Sequence, residues 1–264
     1  AFVGAMVGLE RAILSPLAEQ VFGLAGKTAA LSFIVVFGVT KACTNYWAGR
    51  LADRHGRQRV LVAGWLVAAP VPFLLMSARS WDWVLLANLF LGVSQGLTWS
   101  TTVIMKIDLA GPAHAPNSVP SSALATGFVA ARYGLTPAPF YLGVVYVGCG
   151  LVLSAWWVRE TRFHAATEAK GAPSQVAPEL PGQREIFWRT TLRDRELSSV
   201  TQAGLVNNLN DGMAWGLFPL VFAAAGSSLA QIGTLAAIYP AVWGVSQIFT
   251  GAWSDRVGRK GLIA

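Results

Sequence analysis

Residues 49–61, GRLADRHGRQRVL, concentrate charge between two long apolar runs, and residues 251–263, GAWSDRVGRKGLI, repeat the pattern. Gly49, Asp53, Arg54, Gly56 and Arg57 recur as Gly251, Asp255, Arg256, Gly258 and Arg259, at a constant offset of 202 residues. Arg50 and Arg59 add to the charge of the first copy. Only 12% of the chain is charged, so five matches at one offset do not arise from composition. The repeat implies two equivalent units, each placing the same charged turn between apolar segments. One position differs: Gln58 stands where the second copy has Lys260.

The segments around these turns are those of a membrane protein. Apolar residues make up 54% of the chain and its mean hydropathy is +0.49, above the roughly 45–50% apolar content of soluble domains. Apolar runs at residues 1–18, 28–48, 60–76, 83–107, 139–158, 199–225 and 229–252 approach the ~20 residues that a helix needs to cross a bilayer. The expected fold is therefore all-α and polytopic. A net charge of +7 raises nucleic acid as a partner, but the basic residues sit between apolar runs, which is the positive-inside pattern. With the two charged turns placed inside, the inner loops hold fifteen Lys and Arg and the outer turns three. That asymmetry assigns both turns and the central linker to the cytoplasmic side. Cys43 and Cys149 lie in separate apolar runs and make neither a disulfide framework nor a metal site. The first apolar run has no basic segment ahead of it, so no cleavable signal peptide is expected.

The pattern G-x-x-x-D-R-x-G-R resembles the signature loop of the major facilitator superfamily, which joins the second and third helices of each six-helix half. Its double occurrence at the spacing of one half makes the resemblance specific. The resemblance implies a six-plus-six helix architecture in which about eight spans fall within this sequence. The sequence is thus read as similar to a bacterial efflux permease shortened in its C-terminal half. Residues 1–158 form the first half, 159–198 a cytoplasmic linker, and 199–264 the start of the second half. The resemblance also implies that Asp53 latches onto the eleventh helix and Asp255 onto the start of the fifth, when the inner gate closes.

Two stretches complicate that plan. Residues 112–122, PAHAPNSVPSS, form a loop by their prolines and serines, and the clean apolar run after them covers only residues 123–131. A fifth crossing is still required, because the fourth and sixth spans both end inside. It is expected over about residues 120–135, short or distorted, with an impaired latch for Asp255. In the linker, residues 184–197, REIFWRTTLRDREL, mix arginines with Ile186, Phe187, Trp188 and Leu192. They read as an amphipathic helix on the membrane surface or as a disordered connection. Gly92 and Gly96 have the small-xxx-small spacing of close helix contact in lipid.

No phosphate loop, metal-ligand spacing or nucleophile elbow is present, so neither an enzyme nor a cofactor is expected. The informative residues are polar groups inside apolar spans, where a charge costs about 3 kcal/mol or more and faces a cavity or a partner. Asn207 and Asp211, four residues apart, share one helix face. Glu10 lies at the matching depth of the first half, and Pro16 matches Pro219. The candidate substrate and proton path comprises Glu10, Arg11, Lys41, Asn45, Asn207, Asp211, Trp243 and Gln247, with Tyr239 at helical spacing from Trp243. Each carboxylate suits proton carriage or a structural bond, and Glu10, Arg11 and Lys41 equally suit a charge-compensated network. Gly49, Asp53, Arg54, Gly56, Arg57, Gly251, Asp255, Arg256, Gly258, Arg259 and Lys260 form the conformational signature loops. Asn88 stands where many proton-driven exporters carry an arginine four residues ahead of a glycine, here Gly92. The fifth-helix glycine-proline signature is missing.

The resemblance implies a secondary transporter of a small organic solute working by alternating access. It sits in the bacterial inner membrane, with protons as the coupling ion and efflux as the direction. The alternative is a remnant without transport activity, acting as a sensor or scaffold; on the shortened reading the 264 residues alone would not transport.

Overall fold

The computed structural model describes residues 2–11, 13–24, 31–110, 121–161 and 182–257. Its regular elements are helical throughout these residues. The first apolar run forms α1 (Phe2–Arg11) and α2 (Leu14–Gln20). The second forms α3 (Ser32–His55). The third divides into α4 (Arg57–Ala68) and α5 (Pro70–Met76), with Pro70 at the first position of α5, where its missing N–H costs nothing. The fourth is α6 (Trp81–Ala110), the fifth α7 (Ser121–Tyr133). The sixth is α8 (Phe140–Val152), which widens into a π-helical turn over Leu153–Trp157. The linker contributes α9 (Gln183–Trp188), continued by a second π-helical turn at Arg189–Arg193. The seventh span is α10 (Arg195–Ala224) and the eighth α11 (Leu229–Val257). Two stretches of the described residues, Arg57–Met76 and Phe140–Trp157, are long and apolar enough on their own to cross a membrane.

The structure corrects the sequence reading at two places. The charged turn is mostly helix: α3 continues past residue 48 to His55, and Gly56 alone separates it from α4. Gly56 has φ +92°, a conformation that strains any residue with a Cβ. The linker segment is likewise not one helix. Asp194 interrupts it and caps α10, its carboxylate accepting from the backbone N–H groups of Glu196 and Leu197 at 3.1 Å each. Arg195 to Leu197 therefore begin the seventh span. An Asp at the N-cap satisfies amides that a helix end leaves open.

The core lies within the first half. Met6, Leu9, Leu14, Leu17, Phe33, Trp65, Val71, Leu91 and Phe140 are buried together. Helix α6 crosses α3 at close range because of its glycines. A Cβ on Gly92 would meet the Phe37 carbonyl at 2.8 Å, and one on Gly96 would meet Thr44 Cβ at 2.6 Å. Thr40 and Thr44 donate their hydroxyls to the Val36 and Thr40 carbonyls within α3, so the threonines present carbon to the crossing. Without an aqueous phase between helices, such van der Waals contact is what holds them. On the outside Val35, Val39, Leu66, Phe73, Tyr141 and Val145 are exposed, a surface that suits lipid. Trp156 and Trp157, 82% and 78% exposed at the end of α8, sit where interfacial tryptophans anchor a span.

The second half joins the first away from the charged turns. Helix α7 packs along α11, and α1 and α2 against α10. A Cβ on Gly127 would meet Gly233 Cα at 2.6 Å, so two backbones touch there. Ser15 donates its hydroxyl to the Gly216 carbonyl at 3.3 Å, and a Cβ on Gly216 would run into Ile34. Toward the charged turns, by contrast, every residue of α10 from Val200 to Asn210 is exposed. Among the described residues the halves thus meet at the far end and part on the signature-loop side.

Candidate functional site

Two polar assemblies stand out among the described residues. The first is at mid-depth. Glu10 on α1 is 4% exposed, one residue before that helix ends at Arg11. Asn88 on α6 hydrogen-bonds its carboxyl and donates to the Val84 carbonyl at 3.0 Å. The other carboxyl oxygen, Oε1, has no hydrogen-bond partner. The two residues line a cavity of about 20 Å³ with Val7, Phe33, Phe37 and Trp215, room for about one water. Trp215 belongs to α10, so the wall of the Glu10 cavity comes from both halves.

Asp211 lies one turn before Trp215 on the same face of α10. Its Oδ1 accepts from the Tyr239 hydroxyl of α11 at 2.6 Å, and Asn210 donates to the same hydroxyl at 3.2 Å. The structure therefore brings Asp211 together with Tyr239, and Glu10 together with the next turn of the Asp211 helix. Asn207 is exposed on α10. Lys41 lies over the rings of Phe37 and Trp99, at 5.6 and 5.9 Å, and Asn45 accepts from Ser100 at 2.9 Å. These two belong to the α3–α6 pair, nearer the charged turn. The side chains of Arg11, Trp243 and Gln247 lie outside the described residues.

The second assembly is the first signature turn. The Arg57 guanidinium spans Asp53 at 3.3 Å and Asp108, at the end of α6, at 3.2 Å. The Thr161 hydroxyl donates to the same Asp108 oxygen at 2.7 Å. Glu160 caps α4: its two oxygens accept from the backbone N–H groups of Arg57 and Gln58 at 3.0 and 3.1 Å. A carboxylate at a helix N-terminus answers both the open amides and the helix dipole. Gly56 admits it, since a Cβ there would meet Glu160 Oε2 at 2.6 Å. Gln58 donates to the Ser154 and Ala155 carbonyls at 3.4 and 3.0 Å, beside the π-helical turn. The starts of the third span and the ends of the fourth and sixth are thus tied into one body. Asp53 remains 68% exposed beyond its bond to Arg57, and Arg54 is exposed.

Sequence reasoning missed Asp108, Glu160 and Thr161. Their only signal was position: Lys106 stands two residues before Asp108, and Arg159 directly before Glu160 and Thr161. Of the second signature turn, Gly251 and Asp255 lie on α11, the Asp255 side chain is outside the described ones, and Arg256 is exposed. Gly258, Arg259 and Lys260 lie outside the described residues.

The doubled charged turn between apolar spans, the buried polar groups where α1 and α6 meet α10, and the turn that braces three helix ends fit a polytopic membrane transporter. The chain belongs to the Major Facilitator Superfamily, whose sequence model matches residues 1–201. No curated protein matches the chain. Membership makes it a multi-pass protein of the lipid bilayer, in a family that moves small solutes rather than transforming them.

Proposed function

We propose that the protein is a secondary active transporter that exports a small organic solute from a bacterial cell in exchange for protons. The reading rests on one observation above the others. Glu10, a buried carboxyl with an unpartnered oxygen, lies in a cavity whose wall includes Trp215 of the other half. A group in that place is exposed to different surroundings when the halves rock, which is what coupling requires. Asp211, held by Tyr239, offers the second carboxyl of the path. Glu10, Arg11, Lys41, Asn45, Asn207, Asp211, Trp243 and Gln247 are the candidate lining of that path. The Lys and Arg asymmetry supports cytoplasmic signature turns. A cysteine in place of exposed Arg54 should then react with an impermeant thiol reagent only from inside.

The test is transport in proteoliposomes under an imposed pH gradient, with a solute chosen because it raises the protein's thermal stability. Glu10→Gln and Asp211→Asn are compared with the parent. Loss of gradient-driven movement in at least one variant, with solute exchange retained, is expected. Gradient-driven movement unchanged in both would remove these carboxyls from the mechanism. Movement indifferent to pH in the parent would remove protons altogether.

A further inference from the structure

The linker helix touches both halves. At one end, Gln183 is hydrogen-bonded to the inner part of α3. Its side-chain amide donates to the Tyr46 carbonyl, and its oxygen accepts from Arg50 at 3.5 Å. One turn on, Phe187 meets the edge of the Tyr46 ring with centroids 5.7 Å apart. Tyr46 stacks edge-on with Trp47, and Phe187 with Trp188, so four rings run in series from α3 to the linker.

At its other end the same segment is fastened to α10. The Arg189–Asp194 ion pair at 3.8 Å closes the π-helical turn. Ser198 donates to the Thr191 carbonyl at 2.8 Å and Thr201 to the Thr190 carbonyl at 3.0 Å. With the Asp194 cap, these bonds join residues close in sequence, so the angle between the linker helix and α10 is set locally. The contact with α3 joins residues more than 130 apart, and it consists of one amide side chain and one ring pair at the surface.

We propose that Gln183–Arg193 is a releasable latch: a short helical rod fixed on the second half that grips the signature-loop end of α3 and sets the separation of the halves on that side. A helix does not shorten, and this one is rigidly set on α10. When the loop-side ends of α3 and α10 change their distance, the rod therefore leaves one of its two seats. The Tyr46 seat is the one held by fewer bonds and by no sequence proximity. The grip lies between Tyr46 and Arg50, a turn ahead of Asp53, so its release uncouples the second half from the end of the first that carries the signature turn. The consequence for transport rests on the proposed function; the mechanical claim does not.

The test measures the distance between spin labels on cysteines at Leu51 and Val206, both exposed, in the full protein in lipid with Cys43 and Cys149 replaced by serine. Gln183→Ala with Phe187→Ala should broaden the distance distribution and shift its main population. Phe187→Trp, which keeps an aromatic edge for Tyr46, should retain the parent distribution. Identical distributions in the parent and the double alanine variant would overturn the latch, whatever the protein transports. Solute exchange in the same samples separates the two claims. A shifted distribution with altered exchange supports the latch within transport. A shifted distribution in a parent that moves no solute keeps the latch and removes the transporter.

Discussion

Gly56 and Glu160 show at the scale of one residue how the signature turn is built. The glycine supplies a backbone angle of +92° and the space that the Glu160 carboxylate enters to cap α4. Gly56→Ala introduces both strain and a clash with Glu160, and should lower stability by about 2 kcal/mol. The fall appears as a lower midpoint of thermal unfolding in detergent, and an unchanged midpoint would mean that the turn relaxes freely. Asp108→Asn removes the charged acceptor shared by Arg57 and Thr161, leaving a largely buried guanidinium with only exposed Asp53. It should cost about 2 kcal/mol. Replacing Thr161 by Val should cost less, because the Arg57–Asp108 bond survives. Equal losses in the two variants would contradict the ranking. None of these partners was legible in advance. Asp53, Gly56 and Arg57 stand out because they recur at a fixed offset, whereas Asp108 and Glu160 have no echo in the pattern. They meet Arg57 only because three helix ends converge.

At the scale of elements, glycine decides where helices cross. Gly92 and Gly96 were legible as a contact face from their spacing alone, and α3 fills that face with Phe37, Thr40 and Thr44. The Gly127–Gly233 contact was not legible as a pair: each glycine has an alanine four residues on, Ala131 and Ala237, but only the packing of α7 on α11 brings the two together. The two sites respond differently to a side chain. Gly96→Val forces apart two long helices inside the first half, so its cost, about 2 kcal/mol or more, should appear as a lower unfolding midpoint. Gly127→Val wedges the two halves apart, so it should alter solute exchange more than it alters the unfolding midpoint. The opposite order of effects would place the Gly127 contact inside a fixed core. Element boundaries were the poorest part of the sequence reading. Charge marked residues 49–55 as a loop, yet Arg50, Asp53, Arg54 and His55 are compatible with helix, and only Gly56 breaks it. In the linker, Asp194 carried the cap signal that divides residues 184–197, but the arginines on either side masked it.

At the scale of the molecule, the two halves touch through α7–α11 and through α1, α2 and α3 against α10, and they part beside the signature turns. The fold class followed from apolar runs and from the doubled turn, because a repeat of charged turns between spans leaves few other arrangements. The separation of the halves did not follow. It depends on Ser15, Ile34, Gly216, Gly127 and Gly233, which are unremarkable by type and acquire meaning only from their contacts. In the proposed transport cycle these contacts form a fulcrum, about which opening on one side closes the other. Two spin-label pairs in lipid test it: Leu51 with Val206 on the signature-loop side, and Val21 with Ala225 on the far side, all four exposed. Adding a solute that stabilises the protein should shorten the first distance and lengthen the second in the same sample. Distances that stay fixed while the solute is transported, or that change in the same direction, would contradict it.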